Sequence, residues 1–348
     1  MSDDILDMML RTVDRLVAVE ATRDMREGAD GGNFPERLWQ AMETAGITDA
    51  DTIDDDMTGP AEMQALVRHV ARHALPVPLA EVMAARRLLK AAGLAEAAEG
   101  LTGIGVADAG GVSLEGGQLT GTLRRVPFGR HLSQVVFAAR DGRGAEHIVV
   151  AARPAAVSAD INLAGEARDD LSFAGEAPVA SAAVEDAAVE DAAGQVLAMG
   201  AAFRAVQIAG ALSGALAQVL TYAGEREQFG RPIGKFQAVQ HMLAVLAAET
   251  AAASAAAEIG FAEDGSSSPL RAALAKSRTG QAATEGAALA HQIMGAMGFT
   301  REHPLHYQTR RLWSWRDEFG NEAIWQERLG RDIAGRGGDA LWPMLTSL

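Results

Sequence analysis

The densest run of chemistry-bearing side chains lies between Glu225 and Gln240, which reads E-R-E-Q-F-G-R-P-I-G-K-F-Q-A-V-Q. Arg226 and Arg231 supply cationic donors, Gln228 and Gln237 supply amides, and Phe229 offers a flat apolar face. Gly230, Pro232 and Gly234 break the helical period, so the run is a turn between two helices. Guanidinium forks match phosphate oxygens, and an aromatic ring beside them can pack on another ring system. The mixture therefore suits a pyrophosphate next to an aromatic group. A solvated interhelical turn has the same composition and, on chemistry alone, carries more weight.

Other residue types offer less. His69 and His73 stand at i, i+4 on one helix face, as metal-binding histidines can. No third ligand or H-E-x-x-H context accompanies them, so a solvated face is the plainer reading and no metal site is assigned. Gly103 and Gly105 give G-x-G without the continuation into a helix that a dinucleotide fold needs. His303 and His306 read as helix-start packing, and Trp313, Trp315 and Trp325 as core. Arg204, the sole charge in a long acid-free run, reads as an exposed helix residue. The chain has no cysteine, which removes disulfides and thiolate chemistry.

These groups must be positioned mainly by helices. Hydrophobic residues make up 48% of the 348 residues but aromatics only 5%, so alanine and the aliphatics carry the burial. Alanine favours helices and lets them approach closely. Residues 1–97 read as an N-terminal helical domain. Pro35 suits the first turn of a helix carrying Leu38, Trp39 and Met42, and Gly46 its end; Pro60 opens another with Met63, Leu66, Val67 and Val70. Pro76 and Pro78 break the chain before a helix that stops at Gly93.

Residues 98–182 change texture and read as a small antiparallel β domain. Gly116-Gly117 and Asp141-Gly142-Arg143-Gly144 each separate short apolar runs, a hairpin signature. A duplicated AVEDA within residues 183–193 reads as a linker. Residues 195–348 return to helices, including one from Gln237 to Ile259 that ends before the loop Gly265-Ser266-Ser267-Ser268-Pro269. The fold class is mainly α with a small central β domain.

A net charge of −15 argues against nucleic acid as a partner. Ser2-Asp3-Asp4 lacks the basic and apolar regions of a signal peptide. No apolar run approaches the ~20 residues that span a bilayer. The expectation is a cytoplasmic protein with no membrane partner.

The run from Arg226 to Gln237 resembles the R-x-Q-F-G-x-P-I-x-x-x-Q signature of the acyl-CoA dehydrogenase family, matched at every specified position. Gln292 to Pro304, Q-I-M-G-A-M-G-F-T-R-E-H-P, resembles that family's Q-x-x-G-G-x-G-(Y/F)-x-x-E-x-P and departs only at Ala296. The resemblance implies an N-terminal helical domain, a β-barrel-like middle domain and a C-terminal four-helix bundle. It further implies FAD held between the β domain of one subunit and the C-terminal helices of another. On that basis Arg226 binds the pyrophosphate, and Gln228 and Phe229 lie near the adenosine. Gln292 and Gly295 approach from the second motif, with Phe236 and Gln237 as further candidates.

The family removes an α proton from an acyl-CoA with a glutamate while the flavin takes the β hydride. Counted from Glu302, the usual position of that glutamate falls on Phe319, between Glu318 and Gly320. The alternative position, counted back from Arg226, falls near Gly200, and no acid occurs between Asp191 and Glu225. Glu318 is one residue out of register, about 100° around a helix, and reads as a solvated glutamate beside Asp317. Val106-Ala107-Asp108-Ala109-Gly110-Gly111-Val112 also lacks the hydroxyls of the family's flavin-contacting loop.

No catalytic residue is therefore assigned. The departures resemble the base-lacking subunit of bacterial α2β2 acyl-CoA dehydrogenases that act on steroid side chains. The implied partners are an acyl-CoA substrate and a divergent subunit that supplies the base. A catalytically silent scaffold is the alternative, and a homo-oligomer using Glu318 a third.

Overall fold

A computed structural model describes residues 2–50, 59–107, 111–184 and 192–346. The AVEDA duplication falls largely on 185–191, and part of the expected flavin-contacting loop on 108–110; both lie outside the described residues. Helices α1 (Ser2–Glu20), α2 (Arg23–Ala29), α3 (Glu36–Thr44), α4 (Pro60–Arg72) and α5 (Leu79–Ala91) come first. The punctuation works as expected. Pro60 occupies the first turn of α4, and Gly46 and Gly93 follow α3 and α5 with φ of +70° and +71°, where a Cβ would be strained.

Strands follow: β1 (Thr102–Ile104), β2 (Val112–Glu115), β3 (Gln118–Pro127), β4 (Gln134–Asp141), β5 (Glu146–Ala152), β6 (Ala156–Ser158), β7 (Arg168–Glu176) and β8 (Ala180–Ala183). They form one sheet in the order β6-β7-β3-β2-β4-β5-β8, with β1 added beside β4. Gly116 and Gly117, both at positive φ, close the β2–β3 hairpin, and Asp141 accepts from the N–H of Arg143 and Ala145 to close β4–β5. The sheet is not wholly antiparallel, because β1 and the end of β2 run parallel to β4. Period-two alternation gives β4 two buried faces. Val135, Phe137 and Ala139 enter the sheet's own core, while Val136 and Ala138 join the helical core.

The last part holds α6 (Ala192–Glu225), a short hairpin of β9 (Glu227–Gln228) and β10 (Arg231–Pro232), α7 (Gln237–Ile259), α8 (Pro269–Met294), α9 (Leu305–Asp317), α10 (Glu322–Arg336) and α11 (Leu341–Thr346). Helices α6, α7 and α8 pack on one another, α9 closes the bundle against α6 and α8, and α10 lies on α8. Both α6 and α7 are long and apolar enough to cross a bilayer by length and composition, against the expectation from unbroken apolar runs. Isolated polar residues interrupt the runs without changing the average. In α6 the apolar stretch is almost wholly buried. In α7 it is mostly uncovered, with Ala244, Ala247, Ala248, Ala251 and Ala255 exposed.

Small residues set how closely α6 approaches α4. A Cβ on Gly210 would lie 2.2 Å from the Arg68 carbonyl oxygen and one on Gly214 2.2 Å from that of Arg72. A backbone oxygen cannot rotate aside. Gly210→Ala is therefore expected to lose about 1–2 kcal/mol net, overpacking outweighing the gain in helix propensity. Gly224→Ala, on the same helix with nothing within 4 Å, should instead gain up to about 1 kcal/mol. Urea unfolding of the two variants tests the opposite signs.

Candidate functional site

The two sequence motifs fold into turns at one end of the helical bundle. In the first, α6 stops at Glu225 and the β9–β10 hairpin pairs Gln228 with Arg231. Phe229 and Gly230 form its corner with φ of +52° and +76°. The Ile233 N–H donates to the Arg226 carbonyl at 2.8 Å and shuts the turn. Phe229 is 93% exposed in a left-handed conformation that a bulky residue rarely adopts. An aromatic ring held in water by a strained backbone points to a ligand or partner. Its edge meets the Phe236 ring at 6.1 Å, and the Arg231 guanidinium lies 4.2 Å over that ring. The Arg226 side chain has no ion-pair or hydrogen-bond partner among the described residues. Gln237 is exposed at the start of α7, and Gln228 donates only to the neighbouring Glu227 carbonyl.

In the second turn, α8 ends at Met294 and Gly295 takes φ +59° with its N–H donating to the His291 carbonyl. No atom lies within 4 Å of where its Cβ would be, so this backbone is open to close approach from outside. Ala296, the one departure from the motif, is not at positive φ and needs no glycine. Gln292, Gly295, Met297 and Phe299 are all exposed. Beneath them His291 is stacked between Phe299 and Trp313, and burial lowers its pKa.

A common apolar cluster underlies both turns: Ile233 from the first packs against the cluster to which Ile293 and Met294 at the end of α8 belong. Arg226, Gln228, Phe229, Phe236 and Gln237 are thus brought to the same bundle end as Gln292 and Gly295. The set combines a guanidinium with no partner among the described residues, exposed amides, the exposed Phe229 ring beside Phe236 and an open glycine backbone. These are the donors and surfaces that a dinucleotide with an aromatic ring system requires.

A separate cleft of about 1120 Å³ opens between the sheet and the C-terminal helices, with Ala107, Val112, Ala138, Leu197, Trp313 and Phe319 among its lining residues. Its inner wall answers the question of a base. The two positions counted as base stations, Gly200 and Phe319, lie face to face. A Cβ on Gly200 would come 2.2 Å from Cδ1 of Phe319. The ring therefore fills the space that a carboxylate from either position would need. Phe319 and Gly320 are both left-handed, at φ +54° and +85°, and the loop is tied down. Trp325 donates to the Phe319 carbonyl, and the buried Lys276 ammonium donates to the carbonyls of Arg316 and Gly320. Burial pushes Lys276 down to about 7, partly countered by Glu318.

Glu318 and Arg204 are corrected by the structure. Glu318 is not solvated: its Oε1 accepts from Arg168 Nε at 2.8 Å and Asn162 Nδ2 at 2.9 Å, and its Oε2 from Arg204 Nε at 2.8 Å. Arg204 is 1% exposed and also pairs with Glu81 at 2.7 Å. Glu166 joins the group through Arg168, Arg311 and the Trp315 indole. Three arginines and three glutamates thus neutralise one another where α5, the sheet, α6 and α9 meet. Burial alone would raise the Glu318 carboxyl, but Arg168 and Arg204 outweigh it and hold the group at about 2. Such a carboxylate is a weak base, because proton abstraction near neutral pH needs a pKa lifted toward the working range.

Sequence patterns missed this network, whose members are scattered from residue 81 to 318. One signal pointed to it. A single arginine within a long apolar helix is a charge with nowhere to reach water, and such charges are buried with partners. The His69–His73 pair meets a third polar group that sequence spacing does not report: both Nε2 atoms lie at Asp14 Oδ1, at 2.8 and 2.9 Å. Trp315 and Trp325 are core, as expected, while Trp313 lines the cleft.

Residues 191–333 match the family described as acyl-CoA dehydrogenase, C-terminal domain. The chain is 32% identical over 333 residues to acyl-CoA dehydrogenase FadE34 of Mycobacterium tuberculosis, a match covering 90% of this chain and 44% of that protein. It thus spans less than half the length of the curated relatives it matches. Among solved structures it resembles a chain of the ChsE4-ChsE5 complex from Mycobacterium tuberculosis, with TM-score 0.82, 23% identity, and 94% and 97% of the two chains covered. It also resembles the Tcur3481-Tcur3483 steroid ACAD, with TM-score 0.79, 22% identity, and 98% and 100% covered.

Proposed function

We propose, on the premise that this chain belongs to the acyl-CoA dehydrogenase family through its C-terminal domain, that it is the base-lacking subunit of a cytoplasmic, FAD-dependent acyl-CoA dehydrogenase. Its partner is a divergent family member, with an α2β2 assembly, and the reaction is α,β-desaturation of an acyl-CoA. Bound FAD supplies acceptance of the β hydride. The partner supplies the carboxylate that takes the α proton.

This chain's own residues bind and orient. Arg226 faces the pyrophosphate with a guanidinium that no carboxylate among the described residues neutralises, and Phe229 and Phe236 present rings to the adenosine portion. Gln228, Gln237 and Gln292 offer amides, and Gly295 lets the α8 terminus come close. The exposed alanine face of α7 supports the assembly, because small side chains allow another helix to pack closely. The resemblance to the steroid ACAD makes a bulky steroid side-chain thioester the substrate to try first.

The observation that carries this reading is a contrast within one chain. Phe319 against Gly200 and the paired Glu318 leave both base positions without a free carboxylate, while Arg226 and Gly295 in the two turns stay open among the described residues. The lost base also favours a catalytically silent scaffold, which the unpaired Arg226 and the strained Phe229 oppose. Coexpression with a divergent homologue encoded beside it separates the two. The expected product is a yellow heterotetramer that reduces a dye with an acyl-CoA, while this chain alone is colourless. A yellow homo-oligomer that turns over unaided and is silenced by Glu318→Gln would refute it. A colourless, inert pair would leave the scaffold.

A further inference from the structure

We propose that Asp14, His69 and His73 form a binding site for one divalent transition-metal ion of the zinc class, which ties α1 to α4. His69 lies in the last turn of α4 and His73 at its C-cap, and both direct Nε2 at Oδ1 of Asp14 on α1, at 2.8 and 2.9 Å. The three donor atoms lie within 4.8 Å of one another. A tetrahedral zinc ion with bonds of about 2.0–2.2 Å spaces its donors about 3.3 Å apart. Both histidine–aspartate separations fall about 0.4–0.5 Å short of that value, so the imidazoles must part from Oδ1 by about that much to admit an ion.

Two imidazoles and a carboxylate select zinc, cobalt, nickel or copper over magnesium and calcium, which prefer all-oxygen shells. The histidine side chains are 18% and 25% exposed, and Asp14 is 50% exposed. The ring donors are therefore shielded on the protein side, while the carboxylate side is open for an ion to enter and for water to complete the shell. None of the three residues lies in the two turns or lines the cleft beside the sheet. The site is independent of the flavin reading and can fail or stand without it.

The alternative is a purely hydrogen-bonded cluster, and titration distinguishes them. The full-length chain, free of any affinity tag and stripped with a chelator, is titrated calorimetrically with Zn²⁺ and followed by visible absorption with Co²⁺. The expected result is one ion per chain, d–d absorption from bound Co²⁺ that Zn²⁺ displaces, and an unfolding temperature that rises with Zn²⁺. Asp14→Asn and His73→Ala should each weaken binding at least about tenfold, since losing a ligand costs no less than losing the outer-shell partner of one. Asp14→Asn is nearly isosteric and decides the matter if His73→Ala does not fold. No saturable binding in the parent, or unchanged affinity in a folded Asp14→Asn variant, overturns the proposal.

Discussion

Glu318→Ala is expected to lower stability by about 3–5 kcal/mol, the cost of leaving a buried ion pair half-removed. Its carboxylate is the shared partner of Arg168 and Arg204, each 1% exposed. The same interaction makes an independent statement about pH. The carboxyl is held at about 2 in the fold against 4.5 for the free group. A depressed acid contributes stability that is fully present above the unfolded value. That contribution is lost as pH falls from about 4.5 to about 2, and a shift of this size corresponds to roughly 3 kcal/mol. The two routes agree in order of magnitude. Urea midpoints at neutral pH should therefore fall sharply for Glu318→Ala, and the gap from the parent should shrink as the solution is taken through that acid window. Against a total of about 5–15 kcal/mol, the loss is large enough to unfold part of the population. If Glu318 were a working base, the signature would be the opposite: an unchanged midpoint with turnover abolished.

The network also shows where a sequence ceases to be legible. Local chemistry carries through: Gly116-Gly117 makes its hairpin because two consecutive residues at positive φ need nothing from the rest of the chain. Pro60 and Gly93 punctuate helices for the same reason. The clasping turns are legible too, since each is a contiguous run whose breakers and side chains lie within a dozen residues. What brings those turns together is not local. It depends on one apolar cluster shared by Ile233 with Ile293 and Met294, from a helix some sixty positions further on. Glu318 reads as solvated because its sequence neighbour is Asp317. Its real neighbours are Arg168 on β7 and Arg204 on α6, and no pattern of spacing reports them. Asp14 likewise completes the His69–His73 pair from a different helix. Charge burial was still inferable at Arg204, where an apolar helix offers a guanidinium no route to solvent. At Glu318, set between Asp317 and Phe319 with no apolar helical run around it, it was not.

Arg226→Ala in the coexpressed pair is expected to weaken flavin binding by about 10–150-fold. A hydrogen bond to a charged group contributes about 1.5–3 kcal/mol, and each 1.4 kcal/mol is tenfold in affinity. The expectation is unusually separable from folding. The Arg226 side chain pairs with nothing among the described residues, so its removal should leave the unfolding midpoint of this chain within about 0.5 kcal/mol. Arg226→Lys should recover only part of the loss, because an ammonium keeps the charge but not the planar fork that grips two phosphate oxygens. Phe229→Ala should weaken flavin binding as well. It would relieve neither the charge balance nor the left-handed backbone, so the two substitutions test different contacts. Flavin retention through gel filtration, and fluorescence titration of the stripped complex at two salt concentrations, give the readout. A charge contact should lose strength at the higher salt in the parent and show less dependence in Arg226→Ala. Parent-like affinity in an intact Arg226→Ala complex would place the cofactor's phosphates elsewhere, and the unpartnered guanidinium would then belong to a protein–protein contact.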